Sequence, residues 1–227
     1  MIQRVLKKFS SYFFSRTLKK SGSTFNPQLE VVFEKGKLKL NSRTINYSES
    51  GEHTVFQKAF KKFDISKREI KKILILGLGS GGVISVIRNK HNLLCPIVGV
   101  EIDPEVVTLS KQYFELDKVE DLTLHIKDAY DFVFTCKDKY SLITMDAFID
   151  KYVPAKFHEE TFLNSLCNLL EDNGILFFNY ISIDDRTESG LQTIFQILNK
   201  LPGKVTRYPI SIFGIGNIVL IYENQSN

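Results

Sequence analysis

Cysteine is scarce in this chain. Of 227 residues only Cys95, Cys136 and Cys167 are cysteine, an odd number spread far apart in apolar surroundings. This excludes a disulfide framework and leaves no zinc spacing, so a reducing cytoplasm is the expected compartment. Histidine is nearly as sparse: His53, His91, His125 and His158 show no metal-ligand spacing and are each read as structural or surface residues. No metal is expected. Long apolar runs are missing too, none approaching the roughly 20 residues that span a bilayer as a helix. There is no internal repeat, no low-complexity tract and no Ser/His/Asp set in a nucleophile-elbow context, since Ser80 and Ser85 lie in a glycine turn and the helix after it. A large excess of one charge is also lacking. The net charge is +4, and much of it comes from the first twenty residues, where Arg4, Lys7, Lys8, Arg16, Lys19 and Lys20 stand without an acid. The main domain is therefore not a basic platform for nucleic acid.

What is present centres on Ile73–Asp103. Ile73-Leu74-Ile75-Leu76 is a short apolar run suited to a parallel strand covered on both faces. Gly77, Gly79, Gly81 and Gly82 follow at once, allowing a sharp turn and a close approach of backbone to ligand. A helix then points its free N–H groups into the turn. Some twenty residues on, Gly99-Val100-Glu101-Ile102-Asp103 sets a carboxylate at the tip of the neighbouring strand, where it can accept ribose hydroxyls. A nucleoside-containing cofactor follows from this arrangement.

The rest of the chain fits around that unit. Residues 1–28 form a basic amphipathic segment, with Ile2, Val5, Leu6, Phe9, Tyr12 and Phe13 at helical spacing. A short docked helix is the first reading, and membrane-surface contact through residues 1–20, or an RNA-facing arm, is its alternative. Residues 29–63 give a β-hairpin unit over Leu29–Phe33 and Lys37–Leu40, a further strand within Ser42–Tyr47, and a helix over Glu52–Phe63. Residues 64–227 alternate strand and helix, with strands at Pro96–Glu101, Leu122–Ile126, Ser141–Met145 and Ile175–Tyr180, helices at Glu105–Phe114, His158–Leu170 and Leu191–Leu201, and a closing pair at Val205–Ile210 and Ile218–Tyr222. The expected fold is α/β: a Rossmann-like, seven-stranded, mostly parallel sheet with an antiparallel C-terminal strand pair, plus the small N-terminal β unit.

The turn Gly77-Leu78-Gly79-Ser80-Gly81-Gly82 satisfies both the dinucleotide and the S-adenosylmethionine patterns. Asp128-Ala129 after the third strand suits an acid taking an adenine amino group beside a main-chain contact. Asp146 ends the fourth strand, next to the turn, and the sheet ends in a hairpin rather than a second nucleotide-binding half. Together these favour S-adenosylmethionine.

This order of motifs resembles the class I S-adenosylmethionine-dependent methyltransferases and, more narrowly, their spermidine-synthase-like branch. That branch also has an N-terminal β unit, and a strand-four acid followed by a segment ending in Pro-Ala, as in Asp150-Lys151-Tyr152-Val153-Pro154-Ala155. The resemblance implies that Gly77, Gly79, Ser80 and Gly81 surround the amino-acid or aminopropyl end of the cofactor, Glu101 the ribose, Ile102 the adenine face, and Asp128 with Ala129 its edge. It makes Asp146 the catalytic acid, as base or as the acceptor that orients a nucleophile, and assigns Asp150, Phe148 and Tyr47 to the substrate side. Homodimers are common in the branch. Three departures weigh against polyamine synthesis. Asp146 and Asp150 lie four positions apart instead of three, and Ser80 stands where the branch carries an acid. The tyrosine, acid and histidine pattern that the branch places before the core is poorly kept, with Glu49, Glu52 and His53 near its place. Phe148 implies a more apolar acceptor pocket. The expected activity is methyl transfer from S-adenosylmethionine to a small acceptor. Its rivals are aminopropyl transfer from decarboxylated S-adenosylmethionine and an inactive nucleoside-binding or scaffold protein.

Overall fold

The computed structural model describes residues 15–42, 46–49, 53–212 and 215–225, with 46–49, 212 and 215 described by backbone alone. The amphipathic pattern read within residues 1–14 lies outside the described residues, as does Glu52.

Two sheets form. The smaller is antiparallel in the order β1-β2-β3-β4, from β1 (Arg16–Ser21), β2 (Leu29–Glu34), β3 (Lys37–Ser42) and β4 (Asn46–Glu49). Lys35 and Gly36, both at positive φ, make the two-residue turn between β2 and β3. The basic residues Arg16, Lys19 and Lys20 lie on β1, a strand paired with β2. The end of the basic segment is thus a strand, its backbone bonded to β2 while the lysines stay exposed.

The larger sheet has seven strands: β5 (Ile73–Leu76), β6 (Ile97–Glu101), β7 (Leu122–Ile126), β8 (Tyr140–Met145), β9 (Leu170–Ile181), β10 (Gly203–Ile212) and β11 (Ile215–Asn224). Their order is β10-β11-β9-β8-β5-β6-β7. β5 pairs in parallel with β6 and β8, β6 with β7, and β8 with β9, while β11 runs antiparallel to both β9 and β10. This is the expected Rossmann-like α/β sheet with its antiparallel C-terminal pair.

The buried four-residue run of β5 divides its side chains by alternation. Ile73 and Ile75 join a cluster with Phe56 and Phe60 of α1 (Thr54–Lys62) and Val83 and Ile87 of α2 (Gly82–His91). Leu74 and Leu76 face the other side, with Phe132 of α4 (Ala129–Thr135), Phe162 and Leu166 of α5 (Glu160–Asn168), and Leu191 and Ile194 of α6 (Asp185–Leu198). Helix α3 (Pro104–Phe114) links the two sheets, its Val106 and Leu109 packing on Leu29, Val31 and Leu40 of the small one.

Some boundaries move for local reasons. Helix α5 ends at Asn168 because Leu170 already pairs with Tyr140, and Asn173-Gly174 turns within the irregular start of β9. Helix α6 begins at Asp185, six residues before the apolar pattern suggests, because Asp184 and Thr187 close a reciprocal capping box.

Gly77, at φ +83, sets how near β5 and β8 can come at their carboxyl ends. A Cβ there would lie 2.4 Å from the Asp146 carbonyl oxygen and 3.0 Å from the Ala147 nitrogen. Both atoms are backbone, so the clash has no flexible way out. Gly77→Ala is expected to cost about 2–5 kcal/mol, the left-handed penalty plus overpacking, as a fall in the urea midpoint at unchanged m.

Candidate active site

The carboxyl ends of the parallel strands open onto one cavity of about 840 Å³. Gly77, Gly79, Glu101, Ile102, Asp128, Ala129, Asp146, Phe148 and Asp150 all line it, so most of the residues singled out in the sequence converge. Ser80 and Gly81 are buried and stand off the cavity wall. Tyr47 falls on β4, whose side chains lie outside the described residues.

Glu101, the last residue of β6, is 6% exposed. One carboxylate oxygen accepts the Gly79 N–H at 2.8 Å and the other the Asp103 N–H at 3.1 Å, so the acid also braces the glycine turn. Burial pushes its carboxyl up from the ordinary range, and the two backbone N–H groups pull against that shift without cancelling it.

Asp103, two residues on, is fully buried and ties the N-terminal loop to the site. Its Oδ2 accepts from Ser23 Oγ at 2.6 Å and Asn26 Nδ2 at 2.7 Å, while Oδ1 caps α3 through the Glu105 N–H at 2.9 Å. Thr24, Phe25, Asn26, Pro27 and Gln28 thereby become a wall of the cavity, with Phe25 half-exposed. Sequence reasoning gave this loop no part in the site.

Asp128 caps α4 through the Tyr130 N–H at 2.8 Å, and its other oxygen is ion-paired with Lys156. The Lys156 ammonium also lies 5.4 Å from the centroids of both Tyr130 and Phe157, in cation–π range. A cation at the expected adenine edge was not foreseen.

At the other end, Asp146 is held from two sides. Asn179 Nδ2 donates to Oδ1 and His53 Nε2 meets Oδ2, each at 2.8 Å. His53, read from sequence as structural or exposed, is instead 14% exposed in its side chain and lines the cavity. Asn179 carried a readable signal, being the one amide inside the apolar run Ile175–Ile181 of β9. His53 carried little, because its partner lies 93 residues away. Beyond Asp146 the wall is mostly apolar or amide: Ala147, Phe148, Ile149, Ile181 and Asn217.

The raised carboxyl of Glu101 has a thermodynamic sign. Below its unfolded-state pKa the acid is neutral in both states and costs nothing; as pH rises past that point the unfolded chain ionises first and the fold loses stability. Glu101→Gln removes the titrating group but offers one acceptor where the carboxyl offers two, so it is expected to melt below the parent near pH 4 and to lose less stability than the parent as pH rises toward 7, a narrowing gap in Tm by calorimetry.

Comparison with known proteins agrees with this architecture. The family described as "Spermine/spermidine synthase domain" matches residues 57–201, more than half of the chain. A polyamine aminopropyltransferase of Vibrio vulnificus is 31% identical over 115 residues, covering 49% of this chain and 38% of that protein. The human eEF1A lysine and N-terminal methyltransferase is 25% identical over 153 residues, 59% of this chain and 22% of that one. The chain thus spans well under half the length of these two relatives. Among solved structures, spermidine synthase from Thermotoga maritima superposes with a TM-score of 0.67 at 14% identity over 93% of this chain and 74% of its own, which speaks to the fold. Human methyltransferase-like protein 13 in complex with SAH gives 0.58 at 23% identity over 76% and 83%. With the glycine turn, the strand-tip acids and the sheet order all in place, the chain belongs to the spermine/spermidine synthase domain family.

Proposed function

We propose that the protein is an S-adenosylmethionine-dependent methyltransferase acting on a small acceptor with an apolar body. When bound, S-adenosylmethionine supplies a methyl carbon made electrophilic by its sulfonium. The residues present suit such a group: Gly77 and Gly79 bring bare backbone to the cavity, Glu101 keeps a carboxylate at the strand tip, and Ile102 offers an exposed apolar face beside it. Asp128 and Ala129 would meet the purine edge, and Lys156 would have to share Asp128 with it.

One observation carries the choice of methyl transfer: few acids are free to hold a polycation on the acceptor side. Among the described residues lining that side the acids are Asp146, already bonded to His53 and Asn179, and Asp150, while the wall beyond Asp146 runs through Ala147, Phe148, Ile149 and Ile181. A diamine needs a carboxylate near each ammonium. Asp150, the second acid expected on the substrate side, sits at positive φ in a turn closed by the Ile149–Tyr152 bridge, at the cavity rim. Asp146 faces the cavity and orients the acceptor, with alignment of the nucleophile supplying much of the rate.

Aminopropyl transfer from decarboxylated S-adenosylmethionine is the second reading, favoured by the names of several relatives. Calorimetric titration with both cofactor forms separates the two. The methyltransferase reading expects S-adenosylmethionine to bind at least about tenfold more tightly, a difference of about 1.4 kcal/mol; preference for the decarboxylated form would transfer the assignment. With a labelled methyl donor and a panel of small amines, alcohols and thiols, Asp146→Asn is expected to lower turnover about 100-fold or more while affinity for the uncharged thioether product S-adenosylhomocysteine stays within about threefold.

A further inference from the structure

The contact between His53 and Asp146 leaves one atom unaccounted for. His53 Nε2 lies 2.8 Å from Asp146 Oδ2, but His53 Nδ1 is shut off from solvent and has no hydrogen-bond partner among the described residues. A neutral imidazole carries one N–H and one lone pair, and a cationic one carries two N–H groups. Putting a proton on Nδ1, in either the other tautomer or the cation, would bury an unpaired donor. The other tautomer would also turn the Nε2 lone pair toward a carboxylate oxygen. Only the neutral Nε2–H form satisfies the contact and leaves a bare lone pair, the lesser of the two losses, inside the protein.

The ring is fixed as well as its proton. His53 stands immediately before α1 in an extended conformation and makes no capping bond with its side chain. It meets Phe56 edge-on at 4.7 Å between centroids, and Phe56, fully buried, packs in turn against Phe60 at 5.6 Å. On the opposite side Asn179 donates to Asp146 Oδ1 at 2.8 Å, so each carboxylate oxygen receives one donor from the protein. Asp146 therefore has its plane set from both sides, by His53 at Oδ2 and Asn179 at Oδ1.

We infer that His53 is a positioning residue of this site: a neutral imidazole, locked as the Nε2–H tautomer, that aims the Asp146 carboxylate into the cavity and leaves its negative charge uncompensated. It is not a proton acceptor in this arrangement, since its only lone pair is on the enclosed Nδ1. The charge it preserves faces the region where the methyltransferase reading puts the sulfonium, and in that respect the inference rests on that reading.

The test has two arms. In the first, long-range ¹H–¹⁵N spectra of the histidine rings are recorded on the ligand-free, full-length protein at neutral pH, with His53 assigned by its loss in His53→Gln. The expected pattern is Nε2 protonated and Nδ1 bare, and a protonated Nδ1 overturns the inference whether or not any cofactor binds. In the second, calorimetry gives the affinity for S-adenosylmethionine relative to its uncharged thioether product, S-adenosylhomocysteine. His53→Phe, which removes the donor but keeps a ring against Phe56, is expected to weaken that ratio about fivefold or more against the sulfonium form. His53→Gln, which can still donate to Asp146, should restore the ratio to within about twofold of the parent. A ratio unchanged in His53→Phe overturns the positioning role. Failure of the parent protein to bind either compound would instead bring down the methyltransferase reading, with the first arm still deciding the state of His53.

Discussion

The contact on which the site depends is between two stretches of backbone. The turn after β5 passes so close to the end of β8 that a single methyl group at Gly77 would press on the Asp146 carbonyl. The same approach lets the Asp146 N–H donate to the Leu76 carbonyl at 2.8 Å, extending the β5–β8 pairing by one bond past the last paired residues. Asp146 is thus aimed by the register of two central strands, and its position relative to the glycine turn is as fixed as the core beneath. A site built on strand ends of this kind keeps its geometry better than one carried on loops.

Around that contact the acids divide the labour. Glu101 braces the turn, Asp103 holds the N-terminal loop, Asp128 caps a helix and pairs with Lys156, and Asp146 is steadied by His53 and Asn179. Each carboxylate therefore has a structural partner within the chain as well as any role toward a ligand. Burying charge in this way is tolerable because every one of them accepts at least two hydrogen bonds.

Much of this was legible in the sequence, and what was not has a common cause. The β5–turn–α2–β6 unit declares itself within thirty residues, since apolar runs, glycines and a strand-end acid are local signals. Alternation of strand and helix then yields the sheet. The cavity residues Gly77, Gly79, Glu101, Ile102, Asp128 and Asp146 follow from that frame, because strand ends of a parallel sheet must share one edge. The missed features are pairings across long separations. His53 with Asp146, Ser23 and Asn26 with Asp103, and Lys156 with Asp128 each depend on how a loop lands, which no periodicity records. Strand β1 was hidden for a different reason: an exposed edge strand with basic side chains has no apolar alternation to reveal it.

The docking of the N-terminal loop on Asp103 has a consequence for how the chain holds together. The loop belongs to the small sheet, Asp103 belongs to the large one, and residues 24–28 are cavity wall. Any molecule that fills the cavity touches both units at once, so its binding energy is shared by the interface between them. By mass action, occupancy then raises the free energy of separating the small sheet from the large one, and whatever loosens that interface weakens binding by the same factor. The loop thereby makes ligand affinity and the cohesion of the two sheets a single linked equilibrium.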